Sequence, residues 1–155
     1  MHNETMHENA LTYMKTLLAI PSPTGYTRDA TDYLLSELER LGFSPERTRK
    51  GCVYCELGGE GNGLLLSAHV DTLGLMVRSV KSNGRIRYTH VGGGHDATIE
   101  TENCTIHTRD GRTYPGTVQS TKASQHVFRN MGDEPRNDET LEIVLDAEVH
   151  SAQDV

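Results

Sequence analysis

The chain has 155 residues, of which 15 are Lys or Arg and 22 are Asp or Glu, so its formal net charge is −7. This acidity argues against a surface that binds nucleic-acid phosphates or anionic lipids, and no stretch approaches the roughly 20 apolar residues of a membrane-spanning helix. Hydrophobic residues make up 35% of the sequence, below the about 45–50% of a typical domain, a range that also counts glycine. We therefore expect neither nucleic-acid nor membrane partners, and a small core for this length.

Two amphipathic helices are predicted first. Residues 8–19 carry apolar side chains at helical spacing, and Pro21 ends this helix because it disfavours the helical conformation in the residue before it. A second helix is predicted over residues 27–41, with Gly42 as the residue that terminates it. The apolar positions are Leu11, Met14, Leu17 and Leu18 in the first helix and Ala30, Leu34, Leu38 and Leu41 in the second.

Strand patterns follow the helices. Residues 43–48 and 52–57 predict short strands, and residues 64–70 form a nearly unbroken apolar run. An unbroken run is typical of a central strand that is covered on both faces. The first seventy residues therefore predict an α/β fold, with helices packed on a partly parallel sheet.

The sequence from residue 72 onward predicts an all-β module, a small barrel or sandwich. Ser82-Asn83-Gly84 and Asp110-Gly111 are turn signals, and each lies between two strand patterns, so each predicts a hairpin. Residues 129–140 are polar and predict a mobile loop. The predicted strands cover residues 73–81, 85–91, 102–109, 112–120 and 141–148.

His69-Val70-Asp71 is the best candidate for chemistry. It closes the predicted central strand, at the edge where open α/β sheets bind ligands. Residues i and i+2 of a strand point to the same side, so the carboxylate can hold one ring nitrogen while the other binds a metal. The alternative is a solvated pair, because H-x-D arises by chance in a chain with eight histidines. One credible ligand is also fewer than the three of a catalytic zinc site.

Cysteine usage and the N-terminal composition bear on the cellular compartment. The three cysteines are an odd count, which favours reduced thiols over a disulfide framework. No basic-then-apolar run opens the chain, so no signal peptide is predicted. We expect a cytoplasmic protein.

An ordered series of motifs resembles a known family. The first two are residues 19–26 (Ala-Ile-Pro-Ser-Pro-Thr-Gly-Tyr) and 65–77 (Leu-Leu-Ser-Ala-His-Val-Asp-Thr-Leu-Gly-Leu-Met-Val). The later ones are Gly84-Arg85-Ile86-Arg87-Tyr88, Val91-Gly92-Gly93, Asp110-Gly111, Pro115-Gly116-Thr117-Val118, His126-Val127 and the stretch from Leu145-Asp146 to Asp154-Val155. Over residues 10–155 the chain resembles the N-terminal portion of the glutamyl-aminopeptidase or endoglucanase-M-like family of di-metal aminopeptidases, which includes the tetrahedral aminopeptidases.

The resemblance implies a zinc-peptidase-like α/β domain interrupted by a small inserted β-barrel. Residues 1–71 would be the N-terminal part of the catalytic domain, and residues 72–155 the barrel, which serves dimerisation. The implied activity is metal-dependent removal of N-terminal residues from peptides by two divalent ions, zinc or cobalt. His69 corresponds to a metal ligand, and Asp71, the candidate catalytic residue, to the carboxylate that orients it. The implied partners are peptide substrates and further copies of the chain, bound through the β module.

Some features depart from the family pattern. The bridging aspartate, the base glutamate and the remaining ligands of the family follow the β insertion, and this sequence ends before them. Ser151 and Asp154 also match a helix start, so we expect a truncated form that holds at most one metal, weakly, and is inactive alone. Thr27 stands where many relatives have glutamate, and Gly94 and His95 where many have an aromatic residue.

Two other functions remain open at the level of sequence. One is a related metal-dependent acylase or deacetylase, since such enzymes also use H-x-D at a strand end. The other is a non-catalytic oligomerisation module with a degenerate metal site.

Overall fold

The structure is a computed structural model that describes the backbone of residues 2–155 and the side chains of residues 5–155. The chain divides after Gly74 into two compact units. The first is mainly helical and the second is built on a five-stranded sheet, so the predicted mixture of α and β structure is confirmed. None of the described helices has the combined length and apolar character that a membrane crossing requires.

Two helices open the first unit: α1 spans His2–Ala19 and α2 spans Arg28–Arg40. Both predicted helices are confirmed. The first begins earlier than the predicted residue 8, since no proline or glycine interrupts the residues before it. Gly42 follows α2 with a φ of +90°, and its amide donates to the Glu39 carbonyl at 2.9 Å. This is the left-handed termination that the sequence predicts for a glycine at this position.

A short ladder follows the helices. It consists of β1 (Glu46–Arg47) and β2 (Val53–Tyr54), which pair antiparallel. Both strands are shorter than the sequence predicts, because only two residues of each are paired. The Arg47 guanidinium donates to the Asp32 carboxylate of α2 and so joins the ladder to the helix.

The predicted central strand over residues 64–70 is wrong. The segment has no regular secondary structure, and Leu64, Leu65 and Leu66 are 85%, 78% and 76% exposed. A buried strand needs neighbours that pair its backbone and layers that cover both faces. In the part of the chain that the structure describes, β1 and β2 pair only with each other, so this run has neither. The prediction that His69 and Asp71 lie at a strand end is wrong for the same reason.

The second unit contains a sheet of five strands, namely β3 (Gly74–Val80), β4 (Ile86–Val91), β5 (Asn103–His107), β6 (Thr113–Ser120) and β7 (Leu141–Leu145). Their spatial order is β3-β4-β7-β6-β5. Both predicted hairpin pairs are neighbours in this order, and β5 pairs antiparallel with β6. The strand β7 pairs antiparallel with both β4 and β6 and is the centre of the sheet.

The core of the second unit comes from its three central strands. Alternate residues of β6 are buried, as expected for a strand with one covered face. Every residue of β7 is buried except Val144, which is half-buried. The buried core side chains are Ile86, Tyr88, Val118, Leu141, Ile143 and Leu145.

Glu142 is a buried charge within β7. Lys81 Nζ donates to Glu142 Oε2 at 2.7 Å, and the Arg85 guanidinium donates to Oε1. Burial by itself would raise the pKa of Glu142, but the hydrogen bonds from the two cations outweigh it and hold the pKa below its ordinary value. The carboxylate therefore joins the β3–β4 turn to the central strand.

Residues 129–140 are irregular, as predicted, with one 3₁₀ turn at Met131–Asp133. Several of their charged side chains are nevertheless paired within the second unit. Arg136 Nε donates to Glu100 Oε2 at 2.7 Å, and Asp138 accepts from Arg78 at 2.9 Å. The expected mobility of this loop stays a prediction.

The predicted helix start at Ser151 is confirmed. A 3₁₀ turn spans Ala152–Asp154, and Asp154 Oδ2 accepts hydrogen bonds from the Ser151 amide at 2.8 Å and from the Ser151 hydroxyl at 2.9 Å. The hydrogen bond from the His150 amide is the largest cause of a pKa of Asp154 below its ordinary value, and the bonds from Ser151 act in the same direction. The acidic residue of the turn therefore accepts from the amides of His150 and Ser151, which directly precede the turn.

Candidate functional site

The candidate site is built on residues 22–24, which lie beside the chain around Thr72. The Thr72 amide donates to the Ser22 carbonyl at 2.7 Å, and Pro23 and Thr72 form a parallel bridge. The ring of Pro23 lies against Gly74, where an added Cβ would come within 2.6 Å of the proline Cβ. We call residues 22–24 the anchoring segment, because they hold the chain that carries His69 and Asp71.

A tight turn directs the anchoring segment. The Tyr26 amide donates to the Pro23 carbonyl at 2.7 Å, and Gly25 has a φ of +88°. Glycine adopts this left-handed conformation without steric cost, and the third position of such a turn often requires it. The Pro-Thr-Gly-Tyr sequence therefore fixes where the side chain of Thr24 emerges.

His69 and Asp71 lie side by side. His69 Nδ1 lies 3.1 Å from Asp71 Oδ1 and 3.0 Å from the Asp71 carbonyl oxygen. A carboxylate and a carbonyl only accept hydrogen bonds, so Nδ1 carries the proton in the neutral ring and Nε2 keeps its lone pair. The His69 side chain is 85% exposed and that of Asp71 38% exposed, which leaves Nε2 accessible to a ligand.

Asp71 is held on its other oxygen by Thr24. The Thr24 hydroxyl donates to Asp71 Oδ2 at 2.6 Å, across 47 positions of sequence. This hydrogen bond is the main cause of a pKa of Asp71 below its ordinary value, and the bond from His69 acts in the same direction. Asp71 is therefore stabilised as a carboxylate, the form that only accepts hydrogen bonds and so can bind the N–H of the histidine ring.

The donor set fits one position of a divalent metal site. A neutral imidazole with Nδ1–H bound to a carboxylate and Nε2 free is the usual form of a metal-ligating histidine. No group of three or more His, Cys, Asp or Glu side chains is arranged to hold a metal within residues 5–155. The described chain thus offers one ligand and its orienting carboxylate, fewer than a catalytic site needs.

A second histidine–aspartate contact lies within the second unit. His90 is half-buried, and its Nε2 lies 2.9 Å from Asp96 Oδ1. Tyr88 donates to the same oxygen at 2.7 Å, and burial, followed by the bond to Asp96, raises the pKa of its hydroxyl well above the ordinary value. Asp96 thus forms hydrogen bonds with both Tyr88 and His90 within the second unit. We interpret the three side chains as a structural cluster.

Sequence reasoning missed two residues of the anchoring segment. Thr24 and Ser22 belong to a recognised motif, but no pattern assigns them a contact with Asp71 or Thr72. The Ser22 hydroxyl is buried and has no hydrogen-bond partner among the described residues. The sequence signal was limited to Pro-Thr-Gly, which indicates a turn and not the residue that the turn faces.

Comparison with known proteins identifies the family. A family model described as M42 glutamyl aminopeptidase matches residues 51–155. The curated protein "Putative aminopeptidase YhfE" of Bacillus subtilis (strain 168) is 39% identical over 143 residues, which are 91% of this chain and 41% of that protein.

Solved structures share the fold. A TET aminopeptidase from the marine sediment archaeon Thaumarchaeota archaeon SCGC AB-539-E09 matches with a TM-score of 0.80 at 18% identity, over 94% of this chain and 40% of that one. The TET1 peptidase of Pyrococcus horikoshii matches with a TM-score of 0.77 at 22% identity, over 92% of this chain and 42% of that one. At these identities the likeness shows the fold alone.

The chain spans 41% of the length of YhfE and similar shares of the two solved structures. The family model covers residues 51–155, more than half of the chain. The resemblance inferred from the ordered motifs is confirmed, and the chain belongs to the M42 glutamyl aminopeptidase family.

Proposed function

We propose that this chain contributes one metal ligand to a metal-dependent aminopeptidase, which removes N-terminal residues from peptides. The observation that carries the proposal is the His69–Asp71 pair, with Nδ1 bonded to Asp71 and Nε2 exposed. Membership of the M42 family and the names of the similar proteins, an aminopeptidase in each of two cases and a peptidase in the third, support this activity.

In this proposal His69 binds a divalent metal ion through Nε2. Asp71 holds the ring in the required tautomer and orientation, and it strengthens the basicity of Nε2 by accepting a hydrogen bond from Nδ1–H. When two divalent ions, zinc or cobalt, are bound, they polarise a peptide carbonyl and make a bound water more acidic. Since the described residues offer one ligand, this chain alone holds at most one ion, weakly, and is inactive.

We assign the two parts of the chain different roles. Residues 1–71 form the N-terminal part of the catalytic α/β domain, and residues 72–155 form an inserted small β-barrel. The sheet of the second unit, with β3 and β5 at the ends of its order, supplies the strands of that barrel. The substrates are peptides, and the compartment is the cytoplasm.

The β module is also the proposed site of self-association. The Pyrococcus horikoshii TET1 peptidase can assemble into a tetrahedron or a large octahedral shell, and by analogy copies of this protein would form a homo-oligomer. The end strands of a sheet offer unpaired backbone groups, which suits such association.

Metal titration tests the proposed ligand. We expect the chain to bind Co²⁺ or Zn²⁺ weakly in calorimetry. His69→Ala should abolish this binding, and Asp71→Asn should weaken it about 10–100-fold, as expected when an orienting carboxylate is lost. The matched control is His126→Ala, because His126 is also exposed and lies in the other unit. Equal loss in the His126 and His69 variants would contradict the assignment.

Substrate assays test the ligand count and the alternatives. We expect the 155-residue chain to release no product from aminoacyl-anilides at any metal concentration. Metal-dependent release by the chain alone would show that it supplies more ligands than we assign. Hydrolysis of N-acyl amino acids in place of aminoacyl-anilides would instead favour an acylase.

A further inference from the structure

We infer that Thr24 is a positioning residue for the metal ligand: its hydroxyl fixes the carboxylate of Asp71 and thereby the tautomer and orientation of the His69 ring. The inference rests on the proposed function, in which His69 Nε2 binds metal. It adds a residue from a distant part of the sequence to the pair that the H-x-D pattern contains.

The geometry occupies both oxygens of Asp71. Thr24 Oγ1 donates to Oδ2 at 2.6 Å, and His69 Nδ1 lies 3.1 Å from Oδ1. A carboxylate can rotate about the bond that joins it to Cβ. A short hydrogen bond to one oxygen restricts that rotation and keeps the other oxygen directed at the ring. Without Thr24, the carboxylate would lose the shorter of its two side-chain hydrogen bonds, and the longer contact to His69 would remain.

The position of Thr24 is itself fixed by backbone contacts. The Thr72 amide donates to the Ser22 carbonyl at 2.7 Å, and the turn at Gly25 closes with a 2.7 Å bond from Tyr26 to Pro23. Thr24 is therefore held on both sides by hydrogen bonds that do not involve its side chain. Its side chain is exposed, so removing the hydroxyl should leave the fold intact.

The simplest alternative is that Thr24 only stabilises its own turn. Threonine and serine hydroxyls in turns usually bond to backbone groups within a few residues. The Thr24 hydroxyl instead donates to a side chain 47 positions away. If Thr24 only stabilised its turn, removing its hydroxyl would leave the tautomer of the His69 ring unchanged. If Thr24 positions Asp71, the tautomer should change, and the two cases can be distinguished by measurement.

The test is the tautomer of the neutral His69 ring, read from ¹⁵N NMR of the imidazole nitrogens in the metal-free full chain at a mildly alkaline pH. His69→Ala assigns the signal among the eight histidines. We expect Nδ1 to be protonated and Nε2 unprotonated in the wild type. Thr24→Val should shift the ring toward the Nε2–H tautomer that free histidine favours, and Thr24→Ser should retain the wild-type signal.

Ser22→Ala is the matched control, because it removes a hydroxyl from the same segment that has no partner among the described residues. We expect it to leave the His69 signal unchanged. Wild-type nitrogen shifts in folded Thr24→Val, or an equal change in Thr24→Ser, would overturn the inference.

A Co²⁺ titration separates this inference from the proposed function. We expect Thr24→Val to weaken binding several-fold, less than Asp71→Asn does. If Thr24→Val alters the tautomer while His69→Ala leaves metal binding intact, the positioning role stands and the proposed ligand fails. If His69→Ala abolishes binding while Thr24→Val changes neither tautomer nor affinity, the proposed function stands and the positioning role fails.

Discussion

The two units of this chain use similar sequence patterns with opposite results. The second unit buries its apolar strand residues in a core of six side chains. In the described part of the first unit the only buried hydrophobic residue is Ala30, while Leu11, Met14, Leu18 and the run at 64–66 are exposed. An apolar pattern therefore indicates which residues can be buried, and only neighbouring strands or helices decide whether they are. In the first unit, hydrogen bonds of the anchoring segment, and not a core, hold the candidate site.

The largest expected difference in stability between variants comes from replacing one leucine by alanine in each unit. Leu141 in β7 is 1% exposed, and Leu65 is 78% exposed. Leu141→Ala should lower the free energy of unfolding by about 2–5 kcal/mol. Leu65→Ala should change it by no more than about 0.5 kcal/mol. Urea denaturation followed by circular dichroism measures both, and a large loss in Leu65→Ala would contradict the contrast between the units.

A second effect should come from the buried charge of the sheet unit. Glu142→Gln leaves Lys81 and Arg85 without their carboxylate, so we expect a loss of about 1–3 kcal/mol at neutral pH. Glu139→Gln is the control, because Glu139 is exposed and solvent screens its ion pairs, so we expect a much smaller loss. If Glu142→Gln and Glu139→Gln lose equal amounts of stability, then burial of the Glu142 carboxylate does not increase its contribution.

The same carboxylate predicts a dependence on pH. The pKa of Glu142 is lower in the folded state than its ordinary value of about 4.3, so its contribution is present above that value. The contribution is lost as the pH falls through the lowered pKa. Wild-type stability should therefore decline more steeply than that of Glu142→Gln below about pH 4.3. Thermal melts at a series of pH values measure this. If the melting temperatures of the wild type and of Glu142→Gln fall in parallel as the pH is lowered, Glu142 does not contribute to the dependence of stability on pH.

A smaller and local effect is expected in the anchoring segment. A Cβ at Gly74 would meet Pro23 Cβ at 2.6 Å, whereas a Cβ at Gly63 would meet nothing within 4 Å. Gly74→Ala should weaken the contact of Pro23 with Thr72 by about 1 kcal/mol or more. Hydrogen exchange of the Thr72 amide, which donates to Ser22, should accelerate several-fold. Similar acceleration in Gly63→Ala would show that the close approach of Pro23 is not the cause.

Local features of the fold could be predicted from the sequence. Gly42 ends α2, and the turns at Asn83-Gly84 and Asp110-Gly111 join neighbouring strands, because each signal acts within a few residues. The strand at 64–70 was predicted wrongly, since its leucines do not show whether a partner strand exists. Glu142 had no distinct signal, because its two cations lie about sixty positions earlier in the sequence.

The candidate site was predictable only in part. The spacing of His69 and Asp71 indicated that the two side chains could meet, and the structure places them 3.1 Å apart. The contact of Thr24 with Asp71 depends on how the anchoring segment lies beside Thr72. No periodic pattern in the sequence predicts that arrangement. Tertiary contacts thus supply the part of the site that sequence patterns lack.

The central claim is that His69 presents Nε2 to a divalent metal while Asp71 holds Nδ1. Crystals of the chain soaked in Zn²⁺, with anomalous diffraction recorded on both sides of the zinc absorption edge, test it most directly. We predict zinc density about 2.0–2.1 Å from His69 Nε2, with Asp71 still bonded to Nδ1. Zinc density only at other histidines, or zinc bound through Nδ1, would contradict the claim.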